Sequence, residues 1–215
     1  MTDLVRNPET RTMGEGMCSG PSRAMERRER VLCAARRLFA DNGFHNTGIA
    51  RIARESDVQV GQLYRDFASK EDIVIAIVER DMNDFLPDLE LAAALTADDR
   101  AGIRSWIARF IACRETRTDR RVIAEIFAEA SRSPRVAGIV THIHDGFRAC
   151  LIEALERLAP GDAIAARREM LVELVMTISA GVFQRRLTNP SQLGDDVVDM
   201  LVDGVQRRID ALIED

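Results

Sequence analysis

The chain has 215 residues, of which 46% are hydrophobic and 30% are charged, and this balance excludes a wholly disordered or collagen-like protein. Its 13 glycines and 6 prolines are too few to favour a β-sandwich with many tight turns. The net charge of −5 is uneven, because residues 1–70 carry +3 and residues 71–215 carry −8. A basic N-terminal third on an acidic body indicates an anionic partner for that third.

The sequence predicts a cytoplasmic protein. Residues 1–22 are polar and contain no apolar signal segment. The most apolar run, residues 171–183, is interrupted by polar side chains and is shorter than the roughly 20 residues that span a bilayer. The four cysteines are far apart and form no CxxC pair, which is typical of free thiols in a reducing compartment.

The pattern after the polar tail is helical. A first helix is predicted from Arg23 to about Asn42, ending at Gly43, because apolar residues recur there at helical spacing. A short second helix follows, with Thr47 as its predicted N-cap, and a third runs from about Gln59 to Asp66.

A capping-box pattern at Ser69 and Asp72 begins a long fourth helix, which Pro87 ends or bends. Five more helices are predicted at about 97–117, 119–132, 134–158, 162–188 and 193–213. No alternating, strand-like run occurs, so the expected fold class is all-α with about nine helices.

Residues 44–67 have the pattern of a helix-turn-helix unit, because two short helices flank a tight turn after a longer helix. Asp57 lies in the turn, where a left-handed backbone is needed. On the third helix, Gln and Arg can read base edges and a Tyr hydroxyl can bind phosphate. A plain helical hairpin is the alternative, and its outer face would be rich in Glu and Lys. The predicted outward residues are Gln59, Val60, Gly61, Gln62, Tyr64 and Arg65.

One segment resembles the N-terminal domain of the TetR family of bacterial transcriptional regulators: residues 30–79, RVLCAARRLFADNGFHNTGIARIARESDVQVGQLYRDFASKEDIVIAIVE. The resemblance implies a homodimer whose third helices enter the major groove of a palindromic operator in double-stranded DNA. A small-molecule effector bound in the helical body would release the DNA, which is the behaviour of a repressor. The implied organisation is a flexible tail (1–22), a DNA-binding domain (23–68) and a ligand-binding and dimerisation domain (69–215). Thr47, Tyr64 and Lys70 are implied to contact phosphates.

The segment departs from the common family pattern at Gly48, Asp57, Gln62 and Asp66. Gln62 stands where a Thr is usual and is long enough to reach a base edge, such as that of adenine. Asp66 stands where an aromatic residue is usual. Phosphate would repel its carboxylate, so we expect it to face away from DNA or to pair with an arginine. Arg23, Arg27, Arg28 and Arg30, before and within the first helix, are candidate partners for the DNA backbone.

Apolar stripes on the last two helices predict a four-helix dimer interface, although packing within one subunit is the alternative. The predicted dimerisation residues are Leu171, Leu174, Val175, Ile178, Val182, Val198, Leu201 and Val205.

A mostly apolar effector pocket is expected among the middle helices. Its predicted lining is Trp106, Phe110, Phe127, His144 and Phe147, with Glu125, His142 and Asp145 as further polar candidates.

No enzymatic activity, cofactor or metal is predicted. His142 and His144 are two residues apart, which places them on different helix faces. No catalytic triad spacing or glycine-rich phosphate loop occurs in the sequence. The alternative function is an all-helical enzyme or scaffold in which the helix-turn-helix is only structural. An activator rather than a repressor is equally compatible with the sequence.

Overall fold

The computed structural model describes residues 22–85, 89–114, 116–189, 191 and 193–214. The predicted tail lies outside these residues except for Ser22, and so does Pro87. The described part contains helices and no strand, so the all-α prediction is confirmed. The helices are α1 (Arg23–Asn42), α2 (Ile49–Glu55), α3 (Val60–Asp66), α4 (Lys70–Phe85), α5 (Leu89–Thr96), α6 (Arg100–Ala112), α7 (Arg117–Ala130), α8 (Pro134–Leu158), α9 (Ala165–Thr188) and α10 (Asp195–Glu214).

The first four helices share one hydrophobic core. Val31 of α1, Ile52 of α2, Leu63 of α3 and Ile73 of α4 are each fully buried in it. Each of these helices presents one apolar face to this core, as the sequence pattern predicts. Because α4 contributes as fully as α1, the head of the molecule comprises helices α1–α4.

Two left-handed backbone positions shape this head. Gly43 has φ 81° and ends α1, donating its backbone N–H to the carbonyl of Phe39. Asp57 has φ 54° in the turn between α2 and α3, so the expectation of a left-handed residue there is confirmed. Aspartate tolerates this conformation better than most residues do.

A reciprocal capping box begins α4. The backbone N–H of Ser69 donates to the Asp72 carboxylate at 2.9 Å, and the N–H of Asp72 donates to the Ser69 hydroxyl at 3.1 Å. Both N–H groups would otherwise lack an intrahelical partner. The predicted start of α4 is therefore confirmed.

The body of the molecule, which comprises helices α5–α10, contains one helix more than the sequence predicts. Residues 89–96 form α5, which buries Leu91, Ala94 and Leu95 against the core of the body. The sequence analysis predicted no helix between Pro87 and residue 97, because eight residues are too few to show a clear helical period. The next helix begins only at Arg100, because the Asp99 side chain accepts the N–H of Gly102.

The head and the body are not separated by a gap in packing. Val122 and Ile126 of α7 and Val136 of α8 belong to the same core cluster as the head residues. Two ion pairs reinforce the junction, Arg36–Asp119 between α1 and α7 and Asp72–Arg135 between α4 and α8. Helices α7 and α8 are therefore in direct contact with the head.

Removing the capping box of α4 is expected to destabilise the protein. Ser69→Ala leaves an N–H group of the first turn without its acceptor, which lowers the free energy of unfolding by about 1 kcal/mol. Urea denaturation monitored by circular dichroism measures this change. Ser105→Ala is the matched control, because Ser105 is exposed within α6 and caps no helix. An equal effect of both substitutions would contradict the role given to the cap.

Candidate nucleic-acid interface

The outer face of α3 is exposed and carries few charges. Val60 is 43% exposed and Tyr64 is 53% exposed, although both are large and hydrophobic or aromatic. A Cβ atom added to Gly61 would meet nothing within 4 Å, so the backbone there is open to close approach. Gln59 and Arg65 are exposed as well, and Gln62 is half-buried. The structure therefore brings these predicted residues together on one surface.

The inner face of α3 is fixed by burial. Leu63 is completely buried, and Val58 and Phe67 at either end of α3 are nearly so. These three residues pack with Ile52 and Ala53 of α2 in the head core. The helix is held against α1 and α2 as the helix-turn-helix pattern predicts, and this packing decides which residues face outward.

Asp66, the last residue of α3, pairs with Arg27 of α1. The two guanidinium–carboxylate hydrogen bonds are parallel, with Nε to Oδ2 at 2.7 Å and Nη2 to Oδ1 at 2.8 Å. The hydrogen bond from Arg27 holds the pKa of Asp66 below its ordinary value of 3.8. The expectation that Asp66 pairs with an arginine is confirmed.

Thr47 does not have the role that its sequence position suggested. Its side chain is completely buried, and its hydroxyl lies 2.8 Å from the carbonyl oxygen of Gly43 and 3.3 Å from that of Leu38. The N-cap of α2 is instead Gly48, which has no side chain to accept a cap hydrogen bond. The prediction of Thr47 as N-cap is wrong, and its buried hydroxyl is not placed to bind phosphate.

Lys70 also turns inward. Its ammonium donates to the backbone carbonyl of Phe44 at 2.6 Å and to that of Thr47 at 3.0 Å, and it lies 4.1 Å from the centroid of the Phe44 ring. Burial lowers the pKa of Lys70, and the nearby Glu129 carboxylate opposes this effect only in part. This cation therefore holds the α1–α2 loop, and these contacts do not support the predicted phosphate contact.

Two arginines of α2 were not among the predicted contacts. Arg51 and Arg54 are exposed and lie three residues apart on α2, the helix that precedes α3. The helix-turn-helix pattern points to the third helix and gives no role to the charged face of the second. Arginine is well suited to phosphate because its guanidinium can form two parallel hydrogen bonds.

The body holds the α1–α2 loop from the opposite side. The Glu125 carboxylate of α7 accepts the backbone N–H of Phe44 at 2.7 Å. One turn further along, Glu129 is almost fully buried, and its Oε2 lies 3.5 Å from Nε2 of His45. Glu125 was predicted as a possible polar group of the effector pocket, and that prediction is wrong because its carboxylate faces the loop.

The predicted pocket residues form two adjoining aromatic groups. In the first, Trp106 stacks on Phe110 with 5.7 Å between centroids, and Phe110 lies 5.3 Å from Phe147. Trp106 is buried and belongs to the core of the body, whereas Phe110 and Phe147 are only partly buried. Trp106 therefore contributes mainly to the core of the body, with its ring stacked on that of Phe110.

The second aromatic group lies nearer the surface. Phe127 of α7 is 42% exposed, and its ring centroid is 6.2 Å from those of His144 of α8 and Phe183 of α9. Phe183 was not among the predicted pocket residues. His144 and Phe147 are one turn apart on α8, so the two groups are neighbours.

Most of the predicted dimerisation residues face the inside of their own subunit. The apolar period of a helix shows that a face is buried but does not show which neighbour covers it. The larger side chains of α9 and α10 are covered by one another and by neighbouring helices, chiefly α6 and α8. Only Leu174, Ile178 and Leu201 remain partly exposed. The residues buried within one subunit are Leu171, Val175, Val182, Val198 and Val205.

Part of the surface of α9 and α10 is apolar and open, and it includes the predicted residues Ile178 and Leu201. Val197 is 37% exposed and Met200 is 61% exposed, and both lie on the outer face of α10. A groove of about 330 Å³ lies between the two helices. Its lining is Ile178, Gly181, Val182, Arg185, Leu193, Val197 and Leu201.

In the part of the chain that the structure describes, no group of three or more His, Cys, Asp or Glu side chains is arranged to hold a metal ion. No helix among the same residues is long and apolar enough to cross a membrane.

Comparison with known proteins agrees with the geometry of the head. Residues 31–77 match the family described as bacterial regulatory proteins, tetR family. The HTH-type transcriptional regulator UidR of Escherichia coli K12 is 33% identical over 125 residues, which are 56% of this chain and 60% of UidR, so the match spans less than two thirds of the relative. The N-terminal segment therefore belongs to the TetR family of bacterial regulatory proteins.

Solved structures extend the likeness over most of the chain. Salmonella enterica GusR is 25% identical with a TM-score of 0.61, covering 88% of this chain and 98% of GusR. A regulator from Saccharomonospora viridis in complex with choline is 22% identical with a TM-score of 0.65, covering 86% of this chain and 96% of that one. These proteins share the fold of both head and body.

Two cations of the head are expected to behave differently in DNA binding. Lys70→Met removes two hydrogen bonds from a charged donor, so it lowers the free energy of unfolding by about 1 to 3 kcal/mol. It leaves the salt dependence of DNA binding unchanged, because the ammonium contacts the loop. Arg51→Ala leaves stability unchanged and makes the slope of log K against log salt shallower by about one unit per subunit.

Urea denaturation and binding titrations at several salt concentrations measure both quantities on the same samples. A shallower slope for Lys70→Met at unchanged stability would contradict the inward role of Lys70 and restore the phosphate contact.

Asp66 is expected to make the stability of the head depend on pH in the acid range. Because its pKa is lower in the folded protein than the ordinary value of 3.8, the stabilisation is fully present above that value. It is lost as the pH falls through the lower pKa of the folded state. Asp66→Asn therefore loses less stability than the parent as the pH is lowered from about 4, measured by urea denaturation. An identical pH profile for both proteins would contradict the ion pair.

Proposed function

We propose that the protein is a homodimeric repressor of transcription that binds a palindromic operator through α3 and is released by a small-molecule effector. The observation that carries this proposal is the outer face of α3, where a glycine, two glutamines, an exposed valine and an exposed tyrosine occupy a surface that needs none of them for packing. Glutamine reads base edges, and the open backbone at Gly61 permits close approach to a phosphate.

The charges around α3 support a sequence-specific role. Gln62 lies between Gly61 and Tyr64 and is the residue we assign to a base edge, with Gln59 and Val60 beside it. Arg51, Arg54 and Arg65 are exposed and provide cations for the DNA backbone. Phosphate contacts position the helix, and base contacts provide the specificity.

The dimer that we propose uses the open side of α9 and α10. Met200, Val197 and Gly204 share one face of α10, and Gly181 lies opposite on α9, with nothing within 4 Å of an added Cβ. Small residues let two helix pairs approach closely, and the exposed apolar side chains then lose contact with water. A second copy of the chain, related by a two-fold axis, would cover this face in both subunits.

The effector site that we propose lies at the aromatic groups of α6–α9. Phe127 connects this site with the head, because it lies on α7 between Glu125 and Glu129, which contact Phe44 and His45. An effector that packs on Phe127 would favour one position of α7 over another and would shift the α1–α2 loop with it. Only such a differential affinity can change the population of the DNA-binding state.

Selection of bound duplexes from a random pool, at two salt concentrations, tests the DNA-binding proposal. The expected result is an enriched inverted repeat whose half-sites are about one helical turn apart. Gln62→Ala is then expected to lose preference at one base pair in each half-site, whereas Tyr64→Ala weakens binding to all sequences alike. Salt-sensitive binding without any enriched sequence would contradict a specific operator, and no binding at all would favour an enzyme or scaffold.

The dimer face has its own test. Met200→Glu places a charge in the proposed interface, so analytical ultracentrifugation should show monomers and operator binding should be lost. The control is Leu89→Glu, because Leu89 is 80% exposed on α5, away from the proposed interface. Circular dichroism confirms that both variants are folded. A dimeric Met200→Glu protein that binds the operator would rule out this interface.

A further inference from the structure

The C-terminal end of α3 is held by two neighbouring arginines of α1. Besides the paired hydrogen bonds from Arg27 to the Asp66 carboxylate, Arg28 donates to the Asp66 backbone carbonyl at 3.1 Å. The guanidinium of Arg28 also lies 4.3 Å from the centroid of the Phe67 ring. Three polar contacts and one cation–π contact therefore converge on the last residue of α3 and its neighbour.

These contacts matter because α3 has little stability of its own. It has seven residues, and a helix of two turns does not persist in water without external support. Its N-cap residue, Gln59, makes no side-chain cap hydrogen bond. Leu63 and Phe67 pack in the core, and Arg27 and Arg28 add polar contacts that orient the C-terminal turn.

The negative charge of Asp66 is unfavourable both at the C-terminus of α3 and near DNA. A carboxylate at a helix C-terminus opposes the helix dipole, and near DNA it would repel phosphate. The arginine fork removes both penalties, because each carboxylate oxygen accepts a hydrogen bond from Arg27. The pair is also partly shielded from water, with side-chain exposures of 25% for Arg27 and 16% for Asp66.

We infer that the Arg27–Asp66 pair is a specificity-determining device, which fixes the angle of α3 and keeps the Arg27 guanidinium away from the DNA backbone. This inference rests on the proposed DNA-binding function. An arginine that is free to bind phosphate strengthens binding to every sequence, whereas a fixed α3 strengthens binding only where the bases match. Asp66 thus lowers the affinity for non-specific DNA and raises the preference for the operator sequence. Arg27 and Asp66 are both positioning residues.

The two single substitutions are expected to have opposite effects on non-specific binding. Asp66→Ala frees Arg27, so binding to scrambled duplex tightens and its salt slope becomes steeper by about one unit per subunit. Arg27→Ala exposes the Asp66 carboxylate, so binding to scrambled duplex weakens. Both substitutions lower the ratio of operator affinity to scrambled-duplex affinity, by about threefold or more, because α3 is no longer held.

The double substitution distinguishes the effect of net charge on DNA binding from the effect of holding α3 in place. Arg27→Ala with Asp66→Ala has the net charge of the parent, so its affinity for scrambled duplex returns to the parent value. Its affinity ratio stays low, because the side-chain pair that orients the end of α3 is absent. Thermal melting confirms that each variant is folded at the assay temperature.

Two controls remove simpler explanations. Asp210→Ala frees Arg104 in the body and raises the net charge by the same amount, but it should change neither the salt slope nor the affinity ratio. Ser69→Ala destabilises the head without touching the pair, and its affinity ratio should equal that of the parent. A change with either control would assign the effect to overall charge or to general stability.

The measurement is fluorescence anisotropy of the full chain with the selected operator and with a scrambled duplex, at several salt concentrations. An unchanged affinity ratio and salt slope for Asp66→Ala would overturn the inference while the DNA-binding proposal stands. If the parent protein itself binds both duplexes equally, the proposed function fails, and the inference fails with it.

Discussion

The short loop between α1 and α2 is the point on which the arrangement of the molecule depends. Its backbone is held by the Lys70 ammonium from α4 and by the Glu125 carboxylate from α7. Lys70 is the only lysine in the chain, and it lies partly buried below a carbonyl-lined loop. A hydrogen bond from a charged group in such surroundings is stronger than one between neutral groups. The loop in turn fixes where α2 begins, and α2 carries α3.

This constraint also explains why the head and the body behave as one packed unit. Glu125 and Phe127 lie on the same helix but face different partners, the loop on one side and the aromatic groups on the other. A ligand that moves α7 must therefore disturb a hydrogen bond to the loop or carry the loop along. Helix α4 provides a second connection between the head and the body. Lys70 at its start binds the α1–α2 loop, and Asp72 pairs with Arg135 of α8.

The sequence predicted the elements of the head well, because local chemistry decides them. Helix starts and ends depended on Gly43, Asp57 and the Ser69–Asp72 box, whose effects act within a few residues. The need for a partner at Asp66 was also predictable, because an unpaired carboxylate at that position would face phosphate.

The roles of Thr47 and Lys70 were not predictable from the sequence, because both depend on which way a side chain turns in three dimensions. The sequence also could not predict which neighbours cover the apolar faces of the last two helices. Val175 and Val205 continue a regular apolar stripe and are covered by the same subunit, whereas Ile178 and Leu201 of the same stripe line an open groove. Tertiary packing, which a period of 3.6 residues does not specify, decides between these alternatives.

The most direct test of the account is a hydroxyl-radical footprint of the protein on its selected duplex. Two α3 helices of one dimer in successive major grooves predict two protected patches, related by two-fold symmetry and about one helical turn apart. The account further predicts that Met200→Glu abolishes both patches together. A single protected patch, or protection that persists in the monomeric variant, would contradict the proposal that a dimer reads DNA through α3.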